Sequence, residues 1–226
     1  MKLDERLSAA ASAVRRCGVF ADIGSDHALL PIYLILCGKT ARAVAADVNP
    51  QPLARAKANA QLRGVADRMS FVLSDGFDAI EERFDAAAIC GMGGQLMADI
   101  LSRARNIADG TQLILQPMTA HDGLRSFLWS GGHEIRDEIF VTAGGKPYVI
   151  IDAVYRAHGT PERYTYADLF LGKRRQGGEA FGKYLSKARA AALKRRCGLE
   201  LTGRDTAAED ELINAADAEL ERLSVR

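Results

Sequence analysis

The stretch Val19-Phe20-Ala21-Asp22-Ile23-Gly24-Ser25-Asp26-His27 constrains this chain more than any other. A short apolar run ends in an acid, passes through a turn of small residues and continues into the helix-like segment Ala28-Leu29-Leu30-Pro31-Ile32-Tyr33-Leu34. Strand, tight turn and helix in that order open a nucleotide-type site, because the turn lets a ligand approach the backbone. The chemistry departs from a dinucleotide fingerprint. Only Gly24 survives of a G-x-G-x-x-G ladder, and Asp26 stands where a phosphate would otherwise lie. Two carboxylates, Asp22 and Asp26, repel an anion and attract a cation. A positively charged ligand without phosphates suits such a turn. S-adenosyl-L-methionine, with its sulfonium and amine, is therefore the expected cofactor.

The rest of the chain repeats the strand–helix alternation. Leu3 to Arg16 reads as a helix stopped by Gly18, with Leu3, Leu7 and Val14 on one stripe. Strands are expected at 19–23, 41–46, 70–73, 84–90 and 112–115, with helices at 27–37, 50–63, 95–105 and 122–129 between or after them. A hairpin, 134–141 with 147–155, closes the series around Gly144-Gly145. This pattern predicts an α/β fold: a doubly wound, mostly parallel sheet with one antiparallel strand near its end. Beyond Arg156 the alternation stops. Phe181, Tyr184, Leu185, Ala188, Ala192 and Leu193 form one helical stripe, and Leu212, Ala216, Leu220 and Leu223 form another. They predict an antiparallel, coiled-coil-like helical appendage, with Gly198 and Gly203 bracketing its turn. The expected division is a cofactor-binding domain at 1–155 and a helical domain at 156–226.

Composition narrows the class of partner. A chain of 226 residues with 48% hydrophobic and 26% charged residues is ordinary for a globular protein. No apolar run approaches the ~20 residues of a membrane span, and the acidic N-terminus lacks the apolar core of a signal peptide. The expected location is cytoplasmic. Cys17, Cys37, Cys90 and Cys197 lack C-x-x-C spacing, and His121, His133 and His158 are scattered, so reduced thiols and no metal site are expected. Net charge is +1, but it is unevenly placed. Nine basic residues (Lys173, Arg174, Arg175, Lys183, Lys187, Arg189, Lys194, Arg195 and Arg196) face one acid, Glu179, between 173 and 196. From Cys197 onward eight acids face three arginines. The basic segment either binds a polyanion such as RNA or balances the acidic one, and its excess charge favours RNA.

Ligands of doubly wound sheets bind beyond the carboxyl ends of the strands. Those ends carry Asp22-Ile23-Gly24-Ser25, Asp47-Val48-Asn49, Ser74-Asp75-Gly76, Gly91-Met92-Gly93-Gly94 and Gln116-Pro117. Asp47 lies at the interval expected of a carboxylate that grips ribose hydroxyls, and Asp75 is placed to accept from an adenine amine. Any one of these acids alone would read as a helix cap. Three at successive strand ends point to a ligand.

The motifs D-I-G-S-D-H-A-L-L-P, A-A-D-V-N-P, L-S-D-G-F, I-C-G-M-G-G and L-I-L-Q-P together resemble the bacterial tRNA (adenine(22)-N1)-methyltransferase family. The resemblance covers roughly residues 5–155 by motif, and the helical pair matches that family's architecture. Asp26 and Ala28 replace the later glycines of the wider class I methyltransferase motif, a departure this family shares. The resemblance implies a methyl donor surrounded by Asp22, Gly24, Asp47, Asp75, Gly91 and Met92, with Ser25, Val48, Asn49, Gly76 and Gly93 in the same turns. It implies a tRNA substrate met by Arg6, Gln116, Pro117 and the basic segment.

N1 of adenine needs no deprotonation before attack, so alignment supplies much of the rate. The product ring is cationic, and Asp26 is the expected group to stabilise that charge or to hold the exocyclic amine. His27 either orients Asp26 or is a packed helix residue. Met92 lines the pocket or simply packs. N1 lies on the pairing edge, so the base must be unpaired to react. Two other readings stay open: a methyltransferase for another RNA or small molecule, and a non-catalytic RNA-binding protein on the same fold. The chain is expected to be a monomer or weak dimer.

Overall fold

The computed structural model describes residues 1–173 and 178–224. In chain order the elements are α1 (Glu5–Ala13), β1 (Cys17–Ile23), α2 (Leu29–Leu36), β2 (Thr40–Asp47), α3 (Pro50–Leu62), β3 (Met69–Leu73), β4 (Ala86–Gly93), α4 (Gly94–Arg103), β5 (Gln112–Thr119), α5 (His121–Ser130), β6 (Glu134–Ala143), β7 (Lys146–Val154), α6 (Tyr166–Leu171), α7 (Glu179–Leu201) and α8 (Ala207–Ser224). The seven strands form one sheet in the order β3-β2-β1-β4-β5-β7-β6. All are parallel except β7, which runs antiparallel to both β5 and β6. The expected single antiparallel strand is therefore present, inserted between β5 and β6.

Alternation along the strands supplies two cores. Phe20, Ala43, Ala45, Ala86, Ala88 and Ile114 face α1, α2 and α3. Their neighbours Ala21, Ile23, Val44, Ala46, Ala87, Ile89 and Leu113 face α4, α5 and the C-terminal helices. A period of two sends successive side chains to opposite faces. Alanines fill both faces of the central strands, so helices can approach closely. A C-terminal turn at each strand then brings the sequence motifs to one edge.

The C-terminal helices share the second core. Phe140 of β6 packs on Phe181 (4.6 Å between centroids) and Tyr184 (4.9 Å) of α7. A fully buried ion pair, Arg125 Nε to Glu138 Oε1 at 2.7 Å, joins α5 to β6. Arg125 Nη1 also donates to the carbonyls of Leu169 and Phe170, which end α6, at 2.7 and 3.0 Å. The short helix α6 escaped the sequence reading because it has only six residues. It begins with a capping box, Thr165 with Asp168.

The helical stripe holds with two corrections. Leu193 is 39% exposed and lies off the packed face. Gly198 does not bracket the turn, since α7 continues through it to Leu201. Gly203, at φ +66°, makes the stop: Arg204 N–H donates to Leu199 O and Gly203 N–H to Glu200 O.

Candidate active site at the strand ends

The turn after β1 is tied to its neighbour strand. Gly24 and Ser25 N–H both donate to Ala46 O, at 2.8 and 3.0 Å. Gly24 has φ +74°, and a Cβ there would sit 2.2 Å from Met92 Cε. The left-handed backbone favours glycine, and a Cβ would also have to push the Met92 methyl aside. Met92 thus packs against the turn, and β4 continues past it to Gly93, so the expected Gly91–Gly94 turn is instead a strand end with shifted register. Gly91, at φ +80°, leaves open space where a side chain would stand.

A cavity of about 380 Å³ opens here, lined among others by Arg6, Asp22, Gly24, Ser25, Asp26, His27, Cys90, Gly91 and Gln116. Residues from α1, the ends of β1, β4 and β5, and the start of α2 meet in it. Ala28, which begins α2, holds a left-handed backbone (φ 51°), as does Ala120 after β5 (φ 51°). Such strain in a non-glycine residue costs on the order of 1 kcal/mol and gathers at functional sites. A larger cleft of about 1010 Å³ lies between α7, α8 and the β6–β7 turn. No carboxylates converge in it, apart from Glu179 at its edge.

Asp22 is 7% exposed and makes no ion pair among the described residues. Its Oδ2 accepts from Ser25 Oγ at 2.5 Å. Burial, with a further push from Asp47, raises its pKa to about 7, against the lowering effect of Ser25. The same burial, with Asp22 beside it, pushes the Cys90 thiol far above its usual range. Asp47 is also buried, 8% exposed, and its Oδ1 accepts from Asn49 N–H at 2.8 Å. Val48 is 61% exposed beside it. Asp47 and Asp75 stand at the neighbouring strand ends, outside the cavity itself.

Asp26 and His27 are present but differently disposed. Asp26 is exposed, hydrogen-bonded by Arg55 of α3, and its Oδ2 lies 3.2 Å from His27 Nε2. The Arg55 hydrogen bond holds the Asp26 carboxyl below its ordinary range. The partnership of Arg55 with Asp26 needs the packing of α3 beside the first turn, which no local sequence signal gives. Asp75 likewise meets Arg103 of α4, at 3.0 Å. Gly76, at φ +63°, abuts Ile100.

The residues expected to meet the substrate divide. Arg6 and Gln116 reach the cavity, and Pro117 is buried beside them. The basic segment lies on α7 and does not. Lys173 sits before it, over the Trp129 ring (4.9 Å) and paired with Glu162. Arg174 and Arg175 lie outside the described residues. Arg195 and Arg196 do not project as a free cationic face: Arg195 pairs with Glu209 (2.8 Å) and Arg196 with Asp210 (2.5 Å) across the hairpin. Arg189 pairs with Asp217 in the same way. The acidic helix lies alongside, so these three arginines serve hairpin pairing. Lys183 pairs with Glu179 one turn back, at 2.7 Å. Lys187 and Lys194 are exposed and make no ion pair among the described residues. No helix among the described residues is long and apolar enough to cross a membrane.

Comparison with known proteins agrees with this geometry. The sequence profile described as "Methyltransferase domain" matches residues 3–151. The tRNA (adenine(22)-N(1))-methyltransferase of Bacillus subtilis (strain 168) is 30% identical over 228 residues, covering 100% of this chain and 92% of the relative. A putative tRNA (m1A22) methyltransferase of Streptococcus pneumoniae superposes with a TM-score of 0.81 at 27% identity, covering 97% of this chain and 100% of that one. The same protein in complex with S-adenosyl-L-methionine superposes with a TM-score of 0.77 at 28% identity, with the same coverage. With its whole length aligned to such a relative and its strand-end crevice built from the matching motifs, this chain belongs to the tRNA (adenine(22)-N1)-methyltransferase family.

Proposed function

We propose that this chain transfers the methyl group of S-adenosyl-L-methionine to N1 of an adenine in tRNA, at position 22, in the cytoplasm. The observation that carries the reading is Asp22: a buried carboxylate at the end of β1, without a basic partner among the described residues, lining the strand-end cavity. A buried carboxylate without a cation is costly, and a cationic ligand relieves it. That donor set fits the cofactor, as does the open backbone at Gly24 and Gly91. When bound, the cofactor supplies an electrophilic methyl group on a positive sulfur.

The chain's own residues do the positioning. Asp22, Gly24 and Ser25 hold the cationic end. Asp47, Val48 and Asn49 receive the ribose end, Asp47 through its carboxylate and Val48 through its exposed side chain. Asp75 and Gly76 lie on the adenine side, where the exposed Arg103 pair opens readily. Gly91, Met92 and Gly93 form the floor between cofactor and base. The base enters from the β4–β5 side, past Arg6, Gln116 and Pro117. N1 attacks with its lone pair and no proton leaves, so the ring gains a positive charge. Asp26, held by Arg55 and touching His27, places a carboxylate at the rim of the cavity to stabilise that charge. On this reading residues 1–155 perform the chemistry. Residues 156–226 meet the tRNA through Lys187 and Lys194, with Lys173, Lys183, Arg195 and Arg196, already paired with acids, shaping that surface.

The test is chemical. Purified protein is incubated with S-adenosyl-L-methionine and unmodified tRNA, and the digested nucleosides are searched for 1-methyladenosine. One residue per tRNA molecule, at position 22, is expected; its absence with the cofactor bound refutes the reading.

A further inference from the structure

Gln116 ends the apolar run of β5 as a polar side chain that is 2% exposed. It faces the cavity, and its register partner across the sheet is Cys90 of β4. Its amide nitrogen has two hydrogens, and both are committed. Nε2 donates to Pro117 O at 3.0 Å and to Met118 Sδ at 3.5 Å. Both neighbours are acceptors only, which fixes the amide's orientation. Oε1 accepts no hydrogen bond among the described residues. Since it is not among the buried orphan atoms of the structure, it stands open toward the cavity that Gln116 lines, an acceptor offered to an N–H of whatever enters.

Its position says what enters. Across the sheet the strand ends read Asp47 (β2), Asp22 (β1), Cys90 (β4) and Gln116 (β5). Neighbouring strands are about 4.8 Å apart, so Gln116 stands roughly 10 Å from the Asp22 strand, the width of a base beyond a cationic ligand. The α-carboxylate of an amino-acid ligand, being an acceptor, is repelled by Oε1. On adenine, N1 and the exocyclic N6 amine are adjacent on one edge, an acceptor beside a donor. Guanine reverses both: O6 is an acceptor and N1 carries a hydrogen.

We infer that Gln116 is the residue that selects adenine: Oε1 accepts from the N6 amine and so turns the N1 lone pair toward the methyl donor. This rests on the adenine-N1 reading above. In the reaction the S–CH3 bond breaks, the N1–CH3 bond forms, and no proton is released in that step. The positive charge spreads over N1, C6 and N6, so N6–H becomes a stronger donor as the methyl arrives. The hydrogen bond to Oε1 therefore tightens in the transition state, and its loss falls on kcat more than on KM. Guanine fails twice, because O6 opposes Oε1 and N1 has no free lone pair.

The experiment is a cycle between Gln116→Ala and the exocyclic amine. Single-turnover methylation is measured for tRNA carrying adenine, and for the same tRNA carrying unsubstituted purine at that nucleotide, with both proteins. Wild type must first methylate the adenine substrate at N1; if it does not, the proposed function fails and not only this assignment. Given that activity, wild type is expected to prefer adenine to purine, and the variant to show that preference reduced about tenfold or more, the scale of one aligned hydrogen bond. Cofactor affinity of the variant, measured by calorimetry, should stay within about twofold. An unchanged adenine-to-purine ratio, or a loss that appears in cofactor affinity instead, overturns the assignment. Gln116→Glu keeps an acceptor oxygen beside the amine and is expected to retain more of the preference than Gln116→Ala. If both variants lose it equally, Gln116 shapes the strand end and does not read the base.

Discussion

Two buried carboxylates in this molecule are treated in opposite ways. Glu209, on α8, is 4% exposed. It receives both Nε and Nη2 of Arg195, at 2.8 and 2.9 Å, and the Tyr166 hydroxyl at 2.7 Å. Asp22 is as well hidden but has one serine hydroxyl and a second carboxylate, Asp47, for company. The helical hairpin settles this buried charge internally. The crevice leaves a charge unsettled. That difference locates the chemistry, because an unmet demand within a fold is what a ligand can meet, and strained Ala28 and Ala120 lie on the same edge.

The sharpest way to break the comparison is to remove the unmet charge. Asp22→Asn should lower cofactor affinity by 10²-fold or more, the scale of losing a desolvated charge partner, as read by calorimetry. Its stability should move the other way. Because burial raises the folded pKa of Asp22 to about 7, above the ordinary 3.8, its stabilising contribution is full below the unfolded value and is lost as pH rises through about 7. At pH 8 the asparagine variant should therefore melt higher than wild type. A lower Tm together with unchanged binding would make Asp22 a structural residue. The next effect is on pH. With the carboxylate required, wild-type cofactor affinity should be flat above pH 7 and fall by up to tenfold per unit below it, and Asp22→Asn should remove that slope.

Legibility in the sequence follows the same division. The doubly wound sheet was readable because each strand is a short apolar run with its own turn signal, and the antiparallel strand because Gly144-Gly145 separates two β-rich runs. Asp22, Asp47 and Gly24 were readable because acids and glycine fall at strand ends. What stayed hidden was set by tertiary neighbours. Arg55 reaches Asp26 from α3, Arg103 reaches Asp75 from α4, and Cys90 enters the cavity only through its register with Gln116. The sequence showed complementary charge blocks and weighed two uses for them. Only packing shows that Arg189, Arg195 and Arg196 are taken by Asp217, Glu209 and Asp210.

Smaller in free energy is the settled side of the comparison. Glu209→Ala strips Arg195 and the Tyr166 hydroxyl of their acceptor. Arg195 is partly exposed and can turn to solvent, so the cost is about 1–2 kcal/mol and not the larger loss of a fully buried pair. Chemical denaturation should show that shift, with catalytic rates on tRNA little changed. A loss beyond about 4 kcal/mol would mean that the hairpin and the sheet unfold as one unit through this contact.

The smallest effect belongs to the outward lysines, and it decides what the hairpin is for. If α7 meets tRNA, its working charges are those not already taken, Lys187 and Lys194. Replacing both with alanine should weaken tRNA binding severalfold and lower the dependence of log K on log salt by roughly one to two units. Tm should barely move, because both side chains are exposed. The paired arginines should behave in reverse: Arg195→Ala and Arg196→Ala cost stability first and change the salt slope less, since their charge is neutralised before RNA arrives. If instead the arginine variants flatten the salt dependence while the lysine variants do not, the interhelical pairs open on binding. The acidic helix would then be a stand-in for the phosphate backbone.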